Sequence, residues 1–205
     1  MSEVKITRQD KAAETRTRML GAAYQSFCEA GYRATTMANI AEQSGVAVQT
    51  LYFTFGTKDR LLQAVHDRMV LGEDELPPVR QPWHAKMTAA PDISEAIHYL
   101  VAGVEVILAR VAPLIPVFLA VSEDPAGVVW RRGEQLRLEG YRDLVAELSK
   151  KAHLRRGLGQ SQATDLLFVL LSPEVYRALV LERGWPASRW RAWLERSVLF
   201  DIFDQ

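Results

Sequence analysis

Cysteine is nearly absent from this chain of 205 residues, which has a single one, Cys28. One thiol cannot close an intramolecular disulfide, so a disulfide-stapled secreted fold is excluded and a reducing, cytoplasmic compartment is expected. Net charge is absent as well, because 25 Lys and Arg residues balance 25 Asp and Glu residues. Any surface that attracts a polyanion must therefore be local rather than spread over the whole chain.

Charge-free apolar runs long enough for a membrane are also lacking. The most apolar stretch, YLVAGVEVILARVAPLIPVFLAV at residues 99–121, contains Glu105 and Arg110 and is interrupted by Pro113 and Pro116. These charges and breaks favour a buried helix that turns into a second helix over a membrane span.

The residue groupings that carry catalysis or bind metals are missing too. The four histidines have no metal-ligand spacing, and we find neither a Ser/His/Asp arrangement nor a pair of carboxylates suited to acid–base work. We expect no metal, no cofactor and no enzymatic activity.

Strand signals are almost absent, whereas apolar residues recur at helical spacing along nearly the whole chain. The pattern predicts an all-α protein. Its N-terminal helices are expected at about 8–30, after Thr35-Thr36 up to 44, at 47–53, and from Thr57 to about 69. A Pro-rich loop at 76–83 precedes helices at about 92–110, 113–122, 126–151, 161–182 and 187–203, with a kink or restart at Pro173.

The stretch SGVAVQTLYFTFGTKDRLL at residues 44–62 raises the first functional question. Two short helices joined by a tight turn form a helix-turn-helix, in which Gly45 is expected to adopt a positive φ. Its small core is predicted to consist of Ile40, Ala41, Val46 and Leu51.

With that core facing inward, five side chains are left on the outside: Val48, Gln49, Thr50, Tyr52 and Phe53. A surface of amide, hydroxyl and aromatic groups suits a DNA major groove, because Gln pairs with adenine and Thr contacts a thymine methyl. Lys58 opens the next helix, where a cation beside free backbone N–H groups is predicted to clamp a phosphate.

Residues 35–62, TTMANIAEQSGVAVQTLYFTFGTKDRLL, resemble the DNA-binding signature of the TetR family of bacterial transcription regulators. The positions that fall in step are Thr36, Ile40, Ala41, Gly45, Val46, Leu51, Tyr52, Phe55, Lys58 and Leu61. The match covers about the first third of the chain, and residues 166–194 look more loosely like the last two helices of many members. Position 47 departs from the pattern, since Ala stands where the family often has Ser or Thr.

The resemblance implies a DNA-binding domain at 1–58 and a ligand-binding and dimerisation domain at 59–205. It implies a homodimer that binds a palindromic operator through Thr36 and the outer residues of 47–58. A small, largely apolar effector of unknown identity would release the operator. Repression is part of what the resemblance implies, while the operator sequence stays open.

Polar and aromatic side chains in the second domain are candidates for effector contacts: His98, Glu105, Phe118, Trp130 and Tyr141. The surplus of apolar residues near the C-terminus predicts a symmetric four-helix interface built from Leu166, Leu170, Tyr176, Leu179, Trp190 and Trp193. For both sets, packing within the chain's own core is the competing interpretation.

Two further matters stay open on the sequence. The basic N-terminal arm with Lys5, Arg8 and Lys11 either touches phosphates or is solvated. The competing functions are an architectural DNA-binding protein without effector, and a helical small-molecule-binding protein or enzyme whose helix-turn-helix is only scaffold.

Overall fold

The computed structural model of the protein describes residues 7–124 and 126–204. Within these ranges the chain is helical and has no β-strand, apart from an isolated bridge between Leu154 and Phe203. The helices are α1 Arg8–Ala34, α2 Met37–Ser44, α3 Val48–Phe55, α4 Lys58–Leu71, α5 Pro82–Ala89, α6 Ile93–Val111, α7 Ile115–Ala120, α8 Gly127–Leu148, α9 Gln160–Leu170, α10 Pro173–Tyr176 and α11 Ala187–Ile202. Short 3₁₀ turns occur at Pro78–Arg80 and Ala112–Leu114, and a π-helical turn occupies Arg177–Glu182. The all-α prediction is confirmed.

The chain forms two compact units. The first takes the chain up to Arg68 together with Pro116–Val129, and the second comprises Met69–Ile115 and Trp130–Gln205. The domain boundary predicted after residue 58 lies at the start of α4, whereas the compact units divide near the end of that helix. The functional boundary at 58 stays a prediction.

Local sequence explains where the first helices begin and end. The Thr7 hydroxyl accepts a hydrogen bond from the Asp10 backbone N–H and the Asp10 carboxylate accepts one from the Thr7 N–H, so α1 starts with a capping box. The Thr7 hydroxyl also donates to the Asp10 carboxylate, and this bond, followed by the one from the Thr7 N–H, lowers the pKa of Asp10. Near its end, α1 loses helical conformation at Gly31, which has φ 76. This break agrees with the stop predicted at Gly31.

The core of the second unit is built around α6. Ile97, Leu100, Val101 and Val104 of α6 are buried in one cluster with residues of α8, α9 and α11. In that cluster the rings of Tyr176 and Trp190 meet edge to face with centroids 5.0 Å apart. The apolar stretch Ile93–Ala120 has the length and hydropathy of a membrane span, but 56% of its most apolar window is buried inside the protein. A core helix explains that composition.

The structure corrects the sequence reading at one Pro-rich segment. Residues 76–83 were predicted to be a loop, yet α5 begins at Pro82. Proline is tolerated at the first position of a helix because its missing N–H would have no partner there. The predicted restart at Pro173 is confirmed, since Ser172 caps α10 and Pro173 occupies its first turn.

Candidate nucleic-acid interface

The helix-turn-helix is formed by α2 and α3 with Gly45 between them. Ile40 and Leu51 are fully buried and Ala41 is nearly so, which confirms three of the four predicted core positions. Val46 is only partly buried. Gly45 has φ 67, as predicted, so an L side chain there would be strained.

The outer face of α3 is exposed. Phe53 is 93% and Tyr52 is 52% exposed, and Gln49 and Thr50 are also exposed, while Val48 is half-buried. Large aromatic side chains are unusual on a free surface and indicate a binding surface when they lie beside polar groups. The arrangement offers amide donors and acceptors, a hydroxyl and two rings on one short helix. Contacts of these five residues with DNA stay a prediction.

The two helices of this motif, α2 and α3, are capped differently at their N-termini. Thr36 caps α2, because its hydroxyl accepts a hydrogen bond from the Asn39 backbone N–H at 3.1 Å. Ala47 precedes α3 and provides no side-chain cap. The free N–H groups at the start of α3 are therefore available to another acceptor, such as a phosphate oxygen.

Lys58 lies in a setting that the sequence did not predict. Its ammonium group donates hydrogen bonds to the backbone carbonyls of Tyr32, at 2.8 Å, and Thr35, at 2.9 Å. The same nitrogen lies 4.1 Å from the centroid of the Tyr32 ring. Burial lowers the pKa of Lys58, and the neighbouring Asp59 carboxylate opposes that shift. Lys58 thus joins the start of α4 to the end of α1, and its predicted phosphate contact remains untested.

Tyr32 and Asp59 complete this junction and were missed by the sequence reasoning. The Tyr32 hydroxyl donates a hydrogen bond to the Asp59 carboxylate, and the ring stacks on Phe27 with centroids 5.8 Å apart. Burial, followed by the Asp59 hydrogen bond, raises the pKa of Tyr32 well above its ordinary value. Tyr32 follows Gly31 directly, and the helix break at that glycine was the one available signal.

Basic residues of α1 take different positions. The Arg16 guanidinium lies 4.8 Å from the centroid of the Phe55 ring, whereas Lys11 is exposed. Of the predicted arm, Lys5 and the side chain of Arg8 lie outside the described residues. Arm contacts with DNA stay a prediction.

The five predicted effector residues have different surroundings in the structure, and their contacts with an effector stay a prediction. His98 is exposed and contacts Glu195 at 2.9 Å, and Glu105 forms an ion pair with Arg191. Tyr141 is buried in the second unit, where its hydroxyl donates to the Leu171 carbonyl. Trp130 is half-buried on α8. Phe118 belongs to the first unit, where it is 1% exposed and packs edge-on against His66.

The predicted dimer residues divide into two groups. Tyr176 and Trp190 are core residues with 4% and 0% exposure, so the competing interpretation holds for them and they have almost no surface to offer a partner. Leu166 is 37% exposed on α9, and three others are partly exposed: Leu170, Leu179 and Trp193.

The sequence model of a family described as "Bacterial regulatory proteins, tetR family" matches residues 19–65, which include α2, α3 and most of α4. The helix-turn-helix region of this chain, residues 19–65, is therefore of the TetR-family type. Among curated TetR-type relatives, the probable HTH-type transcriptional regulator ArpR of Pseudomonas putida is 36% identical over 81 residues, which are 35% of this chain and 39% of that protein. The HTH-type transcriptional regulator TtgR, also of Pseudomonas putida, is 37% identical over 68 residues, covering 33% of this chain and 32% of that protein.

The chain therefore spans less than two fifths of the length of each of these curated relatives. A solved structure of the fatty acid degradation regulator FadR from Bacillus halodurans superimposes with a TM-score of 0.73. The superposition covers 91% of this chain and 95% of the FadR chain, and the two sequences are 22% identical. At this identity the likeness shows the TetR fold alone.

Proposed function

We propose that this chain is a DNA-binding transcription regulator that represses by occupying a palindromic operator as a homodimer, and that a small effector releases it. The exposed outer face of α3 carries this proposal. Gln49, Thr50, Tyr52 and Phe53 are exposed or partly exposed on α3, whose inner residues Leu51 and Phe55 are buried. Such a helix presents base-reading groups on a rigid support, as major-groove recognition requires.

The first test is selection of duplexes from random DNA by binding to the purified protein. The affinity for the selected duplex is then measured at a series of salt concentrations. We expect a palindromic consensus whose affinity falls steeply with salt, because phosphate contacts release counterions. The double variant Gln49→Ala/Thr50→Ala should lose the preference for that consensus. Gln25→Ala, which changes an exposed glutamine of α1, is the control and should keep it.

Binding that stays weak and independent of sequence would contradict the proposal, provided that a bound effector is first removed by unfolding and refolding. If the refolded protein still shows no consensus, the helix-turn-helix is only scaffold. A cytoplasmic location and the absence of catalysis belong to the same proposal, since the curated relatives are transcription regulators.

Dimerisation through α9 and α11 is the second part of the proposal. Val169 of α9 and Phe200 of α11 are 59% and 63% exposed, and Leu166 adds a third exposed apolar side chain. Isologous pairing would bury this surface and match the two-fold symmetry of a palindrome. Val169→Glu should shift sedimentation toward a monomer, whereas Val128→Glu, on an equally exposed valine of α8, should not. Sedimentation of the wild-type protein as a monomer at micromolar concentration would contradict the proposed dimer.

A further inference from the structure

A cavity of about 360 Å³ lies beside α6 in the second unit. Its α6 wall consists of Tyr99, Ala102, Gly103, Val106 and Arg110. At 100° per residue, these positions lie largely opposite the α6 residues that fill the main core. The α6 cavity is therefore distinct from that core, and its other walls come from the end of α4, the Pro-rich segment and α5. Its volume falls within the range of small-molecule sites.

Trp83 forms a fixed aromatic wall of the α6 cavity. The ring packs so closely on Gly103 that a Cβ atom there would lie 2.0 Å from the Trp83 Cγ. Its Nε1 donates to the Gln81 side-chain oxygen at 3.0 Å. Because the indole N–H already has this partner, the ring presents an apolar face to a ligand.

Gln81 ties this wall to the end of α4. Its Nε2 donates to the carbonyl oxygens of Val70, Leu71 and Leu76 at 3.2, 3.3 and 2.9 Å. Leu71, the last residue of α4, also lines the α6 cavity. A ligand in the cavity would thus touch the last residue of α4, the helix that begins at Lys58 and follows α3 in the chain.

The charged side chains that line the α6 cavity differ in how far they are exposed to solvent. Glu73, Asp74 and Lys86 line it but are exposed, so water and salt screen them. Arg110 is only half-exposed, and its guanidinium lies against Gly72, where a Cβ atom would be 3.0 Å from Nη1. The deepest charge in the lining is therefore positive, and a guanidinium pairs best with a planar carboxylate.

We propose that the α6 cavity binds a small aromatic carboxylate, with its ring on Trp83 and its carboxylate toward Arg110, and that this molecule is the effector. The effector role rests on the proposed function, but binding itself can be measured without DNA. The apolar lining from Leu71, Leu76, Pro82, Ala102 and Val106 excludes strongly hydrated polyols.

The test uses 2-naphthoate as probe and 2-naphthalenemethanol as its neutral counterpart, titrated calorimetrically into the full chain. We expect naphthoate to bind and the alcohol to bind about 10- to 100-fold more weakly, since a charged hydrogen-bond pair is lost. Arg110→Met should weaken naphthoate by a similar factor and leave the alcohol unchanged. Equal affinity for both probes, or no binding of naphthoate, would overturn the proposal.

The location is tested by filling the mouth of the cavity. Val106 is 54% exposed and lines it, so Val106→Trp should abolish binding without unfolding the protein. Val79 is 62% exposed and does not line it, so Val79→Trp is the matched control. Binding that survives Val106→Trp would overturn the site, and thermal melting of both variants verifies the fold.

Release of the selected palindrome by naphthoate then tests the effector role separately. Binding without release would overturn that role. A protein that binds no palindrome in any form would overturn the proposed function, while the calorimetric result would still decide the site.

Discussion

Replacing Lys58 by Met tests whether this residue serves mainly to position α4 against the end of α1 or to clamp a phosphate. Methionine keeps an unbranched stem but removes the donors to the Tyr32 and Thr35 carbonyls. Each hydrogen bond from a charged group contributes ~1.5–3 kcal/mol. Because Lys58 is partly exposed, water can replace much of both bonds, and we expect a total loss of about 2 kcal/mol. For a chain of this length that loss lowers the Tm by roughly 4–8 °C.

Thermal unfolding measures the stability, and the salt dependence of operator affinity separates the two roles. Loss of one phosphate contact from each protomer of the proposed homodimer reduces the slope of log K against log salt by about 1.8. A positioning residue instead weakens affinity with little change of slope. Arg142→Met, on an exposed arginine of α8 in the second unit, is the control for general charge loss. An unchanged Tm together with a slope reduced by about 1.8 would refute the positioning role.

Helix caps, base-reading groups and buried hydroxyls lead to three further predictions. Ala47→Ser supplies the missing cap of α3 and should raise the free energy of unfolding in urea by ~1 kcal/mol. Gln49→Ala should cost ~1–3 kcal/mol of binding to the selected palindrome and leave binding to random DNA unchanged in a competition assay. Tyr141→Phe removes the bond to the Leu171 carbonyl and should lower stability by ~1 kcal/mol at pH 7. Burial raises the pKa of Tyr141 from 10.0 to about 12, so its contribution is complete below pH 10 and is lost between about pH 10 and 12.

Each of these predictions has an outcome that contradicts it. An Ala47→Ser variant no more stable than wild type would contradict the capping prediction. Ala38→Ser, on an exposed alanine within α2, is the control, because a serine there does not occupy the N-cap position. Equal losses on palindrome and random DNA would show that Gln49 reads no base. If Tyr141→Phe unfolded over the same alkaline range with the same steepness as wild type, another tyrosine would carry that pH dependence.

Much of the fold could be predicted because its signals are local. The stop at Gly31, the Thr36 cap, the turn at Gly45 and the restart at Pro173 each depend on the φ preference or the hydroxyl of a single residue. The outer face of α3 follows from helical periodicity once Ile40 and Leu51 are placed inside. The sequence did not predict the start of α5. The segment 76–83 is rich in proline, which argues against a helix, yet Pro82 is tolerated as the first helical residue.

The amino-acid order alone was enough to specify most of the helices, the helix-turn-helix and the exposed side chains of α3, since these require only neighbours a few residues apart. Tertiary packing was needed to specify the partners of side chains distant in the chain. It directed Lys58 to the end of α1, buried Trp190 and Tyr176 within their own unit, and paired the Tyr141 hydroxyl with the Leu171 carbonyl. Such pairings depend on how helices far apart in the chain pack together, and helical periodicity specifies which face is buried but not which residue it meets.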